Sequence, residues 1–330
     1  MRYVTCGEIQ SSVLGFGCGA VMGRVGRKDS LRAMEGAWDA GVTLFDTARS
    51  YGYGEAEGLL GEFLRGKRQK AVISTKFGIW PQKQSVLKQV AKPVVRAMLR
   101  VVPAARGAVR RGVAGEIQGG QFTPAVLRAS LEESLRRLRT EYVDLLFLHE
   151  GTRTAMENDD LMAELAVAVS EGKVRRAGIS ADAATVTEAI ERGPQVLGAM
   201  QFAANLFDLG VTQVTRENPR ELFFVANHPF GGVQGVDKTK AALAEMAGDV
   251  SLPVELRGKL SEGGRQVFAE VIFGAILRGT GIHALVPSML REENLRANLA
   301  AVESTRFSEE EIELVRQRMI ARAQASWSAV

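Results

Sequence analysis

Short apolar runs recur along this chain in alternation with helical patterns, and no other feature limits its fold as strongly. The runs are "SVLGFG" at 12–17, "VTLF" at 42–45, "AVIST" at 71–75, "VDLLFL" at 143–148, "VRRAGIS" at 174–180, "GAMQFA" at 198–203, "LFFVA" at 222–226 and "ALVP" at 284–287. Between most of them lie segments such as "SLRAMEGAWDAG", "TPAVLRASLEESLRRL" and "LMAELAVAVSEGK", whose apolar residues recur at three- and four-residue steps. This is the pattern of repeated βα units, which pair their strands in parallel through right-handed crossovers. Eight strands in 330 residues favour a closed (β/α)8 barrel over an open doubly wound sheet, with residues 1–330 as a single barrel domain. The opening "MRYVTCGEIQSSVLG", with Gly7 between two alternating runs, predicts a β-hairpin ahead of the barrel. At the other end, Ser308 and Glu311 stand at capping-box spacing and predict a final helix.

Charge is distributed unevenly. Between Glu62 and Glu116 there is no acidic residue, yet thirteen Lys and Arg fall there, so the rest of the chain is acidic on balance. Lys88, Lys92, Arg96 and Arg100 recur every fourth residue beside an apolar set from Val94 to Val102. A basic amphipathic helix on a solvated face is one reading; a lid or an anionic-surface contact is the other. The connection after the third barrel strand is also long for a βα loop, so residues 80–120 are expected to form an inserted segment that walls or covers a substrate pocket. Trp80 stands at its base as a substrate-binding candidate, or as a packed anchor. Aromatic residues are not interleaved with these cations, which argues against nucleic acid. No run approaches the length of a membrane span, and no N-terminal stretch pairs a basic start with a long apolar core; a cytoplasmic location is the expectation. Cys6 and Cys18 read as reduced thiols, and without an HExxH or a paired CxxC no metal site is expected. No G-x-G-x-x-G opens a βαβ unit, so a Rossmann site has no support.

In a barrel, residues at the C-terminal ends of strands line the site. Asp46 closes "VTLFD", Tyr51 follows in a glycine-rich turn, Lys76 closes "AVISTK" and His149 closes "VDLLFLH". Each has a bland alternative: a helix cap, a packing ring, a surface charge, a core imidazole. Together they make an acid. A phenol is a poor donor near neutrality, and a neighbouring ammonium is expected to lower its pKa. Lys76 is expected to act so on Tyr51, Asp46 to supply the counter-charge a buried ammonium needs, and His149 to aim a carbonyl. A bound hydride donor would complete the set.

At these residues the sequence resembles the aldo-keto reductases. "DTARSYGYGEAE" matches the family pattern D-T-A-x-x-Y-G-x-G-x-x-E at every fixed position; "ISTKFG" carries the family's lysine, "EYVDLLFLHE" its histidine, and "EGKVRRAGIS" the segment before its nicotinamide-contacting serine. The resemblance runs from about residue 12 to about 305 and implies a (β/α)8 barrel, a nicotinamide cofactor and Tyr51 as general acid, tuned by Lys76 and Asp46, with His149 orienting substrate. It implies Ser180 and Gln201 as carboxamide contacts. "VPSMLREENLRAN" is similar to the stretch that holds the adenosine phosphate, with Ser288, Arg291 and the adenine-contacting Asn298. Gly19 in "LGFGCGAVMG" and Pro229 and Phe230 in "ANHPFGG" are further cofactor-binding candidates.

Departures from the family pattern stand at Asn227, where an aromatic residue is common, at Ala181, where an asparagine is usual, and at Met289, Leu290 and Asn294, where cations often hold a 2′-phosphate. Arg291 is the substitute cation. NADP(H) is favoured from family habit, with NAD(H) as the alternative. His228 is read as a loop cap or a phosphate contact, and His283 as structural. The expected activity is interconversion of an aldehyde or ketone and an alcohol, acting on a small carbonyl or sugar-like molecule, in a monomer or weak homodimer. Oxidation of a sugar or polyol uses the same groups. The rivals from other classes are a redox-sensing cofactor-binding subunit and a Schiff-base lyase or isomerase using Lys76.

Overall fold

Each of the eight apolar runs contributes a strand in the computed structural model, which describes residues 1–81, 120–304 and 306–327. A hairpin comes first, β1 (Tyr3–Cys6) against β2 (Ile9–Ser12), antiparallel, with Gly7 in its turn at φ +55°. The barrel strands follow: β3 (Phe16–Gly17), β4 (Leu44–Asp46), β5 (Val72–Phe77), β6 (Val143–His149), β7 (Val174–Ala181), β8 (Leu197–Ala203), β9 (Phe223–Asn227) and β10 (Ala284–Val286). They pair in chain order, and every pair is parallel. The sheet closes on itself where Gly15 N donates to Leu285 O at 2.7 Å and Leu285 N donates to Val13 O at 2.9 Å.

Closure leaves the strands with two buried faces, which is why they read as continuous apolar runs. Alternate residues turn inward: Leu145 with Phe147 on β6, Phe223 with Val225 on β9, Ala284 with Val286 on β10. Cys6 and Ile9 of the hairpin join this interior cluster and floor the barrel. Arg176 of β7 helps seat the hairpin, donating to Cys6 Sγ at 3.4 Å and to Glu221 Oε1 at 2.6 Å. The outward set, including Phe45, Ile73, Leu146 and Leu148, packs into the helix layer.

That layer comprises α1 (Arg27–Asp39), α2 (Ala56–Phe63), α3 (Pro124–Leu138), α4 (Arg153–Met156), α5 (Asp159–Ser170), α6 (Ala183–Arg192), α7 (Val211–Glu217), α8 (Gly232–Gly248), α9 (Val254–Ser261), α10 (Gly264–Leu277), α11 (Glu292–Glu303) and α12 (Glu309–Trp327). Local sequence starts several of them. Thr123, Asn158 and Asp182 accept from backbone N–H groups three residues on, and Pro124 occupies the first turn of α3. The capping box before α12 forms as its spacing predicts: Ser308 N donates to Glu311 Oε2 at 2.8 Å and Glu311 N to Ser308 Oγ at 3.2 Å. α10 is buried from Val267 to Ile276 and packs against α11 and α12.

On β6, Asp144 is fully buried and accepts from Ile73 N at 2.8 Å, Arg68 at 2.9 Å and Arg175 at 2.9 Å. The two guanidiniums flank the Tyr142 ring, 3.9 and 4.6 Å from its centroid. Burial raises the Asp144 pKa against the pull of Arg68, the Ile73 amide and Arg175. Among the described residues no helix is long and apolar enough to cross a membrane. The basic helix and most of the 80–120 segment expected as a lid lie outside the described residues, which resume at Gly120.

Candidate active site

Three neighbouring strand ends set the centre of the site. β4 ends on Asp46, which is in register with Ser74 of β5, so Lys76 stands two residues further along the same strand. Its ammonium donates to both Asp46 carboxylate oxygens at 2.8 Å and to Thr47 O at 2.9 Å. Asp46 Oδ1 also accepts from Ser74 Oγ at 2.5 Å and from Gln201 Nε2 at 2.8 Å. Gln201 in turn accepts from Ser180 Oγ at 2.9 Å. Asp46 is 4% and Lys76 1% exposed. Removing both charges from water is expensive, and the cost is offset by the hydrogen bonds that Lys76, Ser74 and Gln201 give to Asp46 and that Lys76 gives to Thr47 O. Burial pulls the Lys76 pKa down, but the Asp46 charge, the adjacent Tyr51 and their hydrogen bonds outweigh it and leave it raised.

Tyr51 comes to this ammonium from the turn between β4 and α2. Gly52, Tyr53 and Gly54 all have positive φ, at 59°, 61° and 85°. A β-carbon at Gly52 would lie 2.4 Å from Val21 O, so the turn needs glycine there for space as well as for φ. The half-buried Tyr51 ring lies with its centroid 4.9 Å from Lys76 Nζ and meets His149 edge-on, centroids 5.8 Å apart at 83°. Lys76 does pull the Tyr51 pKa down, as expected, but it does not set the net direction. Burial is the larger effect and raises it, with Lys76 opposing and Asp46 adding to the rise. His149 is pushed down to about 3, first by burial and then by Lys76, with Asp46 pulling the other way. It is a neutral imidazole, and its buried Nδ1 has no partner among the described residues.

Sequence reasoning named Asp46, Tyr51, Lys76, His149, Ser180 and Gln201, and the structure brings all six to one end of the barrel. It missed the rest of the turn. Arg49 and Glu57, 3% and 1% exposed, form an ion pair at 2.6 Å, and Glu57 also accepts from Thr75 Oγ1 at 2.7 Å. The signal was present: both fall inside "DTARSYGYGEAE", eight residues apart. Trp80, 41% exposed, lies over Arg49 with 6.0 Å between guanidinium carbon and ring. This contact is consistent with the anchor reading, while much of the side chain stays exposed.

The remaining candidates lie after the neighbouring strands. A β-carbon at Gly19 would be 3.9 Å from the Tyr51 ring. Pro229 is buried; Phe230 stacks on Phe268 at 5.8 Å and meets Phe273 at a tilt, centroids 5.7 Å apart, which commits its ring to packing. Asn227 pairs with the exposed His228 at 2.9 Å, and Gly231 N donates to His228 O at 2.8 Å, consistent with a loop role for that histidine. His283 accepts from Phe224 N at 3.1 Å and stacks on Phe223, a structural part as expected. Ser288 is exposed just past β10, and Asn298 is buried on α11 with Nδ2 unpartnered among the described residues. Met289 and Leu290 pack into the core, while Asn294 accepts from Arg265 of α10 at 2.8 Å. Arg265 also pairs with Glu293 at 2.9 Å, and Arg291 lies 3.9 Å from that carboxylate. No motif pointed to Arg265, which α10 carries in from outside the expected stretch. α8 and α11 both begin without a side-chain cap, so their first amides can receive phosphate oxygens. The unpartnered buried nitrogen of Asn298, an exposed serine, uncapped helix starts and two guanidiniums fit a dinucleotide laid across these strand ends.

Comparison with known proteins agrees. The model of the Aldo/keto reductase family matches residues 13–236. A probable aldo-keto reductase 1 of Glycine max is 32% identical over 174 residues, covering 51% of this chain and 41% of that protein. A D-threo-aldose 1-dehydrogenase of a Pseudomonas species is 33% identical over 188 residues, covering 55% of this chain and 48% of that one. The chain thus matches less than half the length of these relatives. Among solved structures, an aldo-keto reductase of Bacillus halodurans superposes with a TM-score of 0.67 at 21% identity over 96% of each chain, a likeness of fold. The match over most of the chain, on the barrel whose strand ends carry these residues, makes this protein a member of the aldo/keto reductase family.

Proposed function

We propose that the protein is an NAD(P)H-dependent oxidoreductase that interconverts an aldehyde or ketone with an alcohol, with Tyr51 as the proton donor in reduction. The observation that carries this reading is the ammonium of Lys76, buried between the Asp46 carboxylate and the Tyr51 ring, beside a neutral His149. When bound, the nicotinamide supplies the hydride. The protein's own groups handle the proton. Because burial holds the Tyr51 pKa above its ordinary value, the phenol is in its acid form near neutral pH. Its proton passes to the carbonyl oxygen as the carbon is reduced. The phenolate left behind faces Lys76 in a poorly solvated site, where their attraction is stronger than in water. A neutral His149 donates to the same oxygen without placing a second positive charge beside Lys76. Ser180 and Gln201 offer a hydroxyl and an amide suited to a carboxamide, and their mutual hydrogen bond holds them in place. In the reverse direction Tyr51 takes the proton as phenolate.

NADP(H) is the favoured cofactor, with Arg265 and Arg291 as partners for a 2′-phosphate. A second reading, NAD(H)-dependent oxidation of a sugar or polyol, draws support from Glu293, which engages Arg265 and lies near Arg291, and from the aldose dehydrogenase relative. Titrating the protein with NADPH and separately with NADH, followed by tryptophan quenching, separates them. NADPH tighter by about tenfold or more favours the first reading, whereas equal or tighter NADH favours the second. The activity itself is tested by reduction of 4-nitrobenzaldehyde. Tyr51→Phe is expected to lower turnover by about 10²-fold or more with cofactor affinity retained. Wild-type turnover in that variant would refute the assignment of Tyr51.

A further inference from the structure

We propose that Glu57, with Arg49 and Thr75, is a positioning device that sets Tyr51 against Lys76; this rests on the reading of Tyr51 as the proton donor. Tyr51 sits in a turn, and a turn left to itself would not hold a ring at a fixed distance from an ammonium. The turn is instead fastened on both flanks. Before the tyrosine, Thr47 N donates to Ser74 O at 2.9 Å and Arg49 N to Lys76 O at 3.4 Å. After it, Glu57 reaches back to hold Arg49 with one carboxylate oxygen and Thr75 Oγ1 with the other. Arg137 of α3 donates to Gly54 O at 2.8 Å between the two.

The grip has a specific geometry. Successive strand residues point to opposite faces, so Lys76 points toward Tyr51 while its neighbour Thr75 points toward Glu57. One strand is held from both sides, and the two contacts share a single peptide link. Loss of the Thr75 tie would let the turn move relative to Lys76, although the Asp46–Lys76 pair itself would remain. Stability alone does not call for this arrangement. A buried ion pair is often matched or bettered by apolar side chains of similar volume, whereas apolar side chains would not fix direction. Trp80, lying over Arg49, closes the outer end of the network.

The test compares Glu57→Gln and Thr75→Val with the wild type and with Tyr51→Phe. Two readouts are used: steady-state reduction of 4-nitrobenzaldehyde, and the alkaline ultraviolet titration of tyrosine, in which Tyr51 is the component missing from Tyr51→Phe. The charged or titratable groups facing Tyr51 are Lys76, Asp46, His149 and Cys18, and all stay intact in both variants. A misplacement of about 1 Å costs on the order of 10²-fold, so kcat is expected to fall by about that factor while KM and cofactor affinity hold. The Tyr51 titration should shift in the same variants. If Glu57→Gln fails to fold, Thr75→Val, which leaves the ion pair in place, decides the matter by the same two readouts. Variants that lose thermal stability yet keep kcat and the tyrosine titration would overturn the proposal and leave the network a packing element. If Tyr51→Phe retains full turnover, the reading of the acid fails instead, and the titration alone judges the positioning: a shift upholds it and no shift overturns it.

Discussion

Lys76 is balanced between a carboxylate and a phenol, and each of its partners is exposed to a different penalty when it is removed. Lys76→Met leaves Asp46 buried without a cation, which is expected to destabilise the protein by about 3–5 kcal/mol and to lower kcat by about 10²-fold or more. Adding Asp46→Asn should restore most of the stability, measured by urea unfolding, without restoring turnover. His149 has a pH signature. Its pKa is near its ordinary value in the unfolded chain and about 3 in the fold, so the unfolded state binds more protons between those limits. Stability is therefore complete above roughly pH 6.5 and falls as pH drops toward 3. Thermal unfolding across this range should show a shallower acid slope in His149→Gln. Tyr51 gives the complementary case: with its pKa raised, reduction should continue without loss through pH 8, while oxidation, which uses the phenolate, should climb with pH. The identities of these residues were legible in the sequence, since Asp46, Lys76 and His149 each close an apolar run and Tyr51 stands in the glycine-rich turn that follows the first. The sign of the Tyr51 shift was not. A neighbouring ammonium can be read from a motif, but desolvation depends on what the whole fold packs around the ring.

At the scale of elements, the strands carry the most readable information and their fastenings the least. Every run from "SVLGFG" to "ALVP" became a strand because burial on both faces leaves a largely apolar signature, interrupted at Asp144, Arg175 and Arg176 by charges that are paired. The hairpin and the capping box were likewise local enough to read, at Gly7 and at Ser308 with Glu311. Arg265 was not, because its place beside Glu293 depends on how α10 packs against α11. Nor was Asp144, which looks like an ordinary charge within "VDLLFL" yet ties β6 to the start of β5 through Ile73 N and to Arg68 and Arg175. Asp144→Ala would strand a buried amide and release two guanidiniums that are themselves partly exposed. The expected loss is about 2–3 kcal/mol, read as a lower midpoint of chemical unfolding, with KM of the remaining folded enzyme unchanged.

Across the whole molecule, the acid–base groups and several of the proposed dinucleotide contacts are drawn from distant parts of the chain. Asp46, Tyr51 and Lys76 come from the first quarter, while Ser288, Arg291 and Asn298 come with β10 and α11. What unites them is the seam at which Val13 and Gly15 meet Leu285 across about 270 residues. During synthesis the amino-terminal strands leave the ribosome long before β10 exists, so β3 waits with an unpaired edge that invites mispairing or chaperone capture. The last step of assembly is then the zipping of that seam. On the proposed reading, a nascent chain paused before Ile282 would already hold the tyrosine and lysine but lack the contacts proposed at Ser288, Arg291 and Asn298. The proposed oxidoreductase competence would thus arrive all at once, at the moment the barrel shuts.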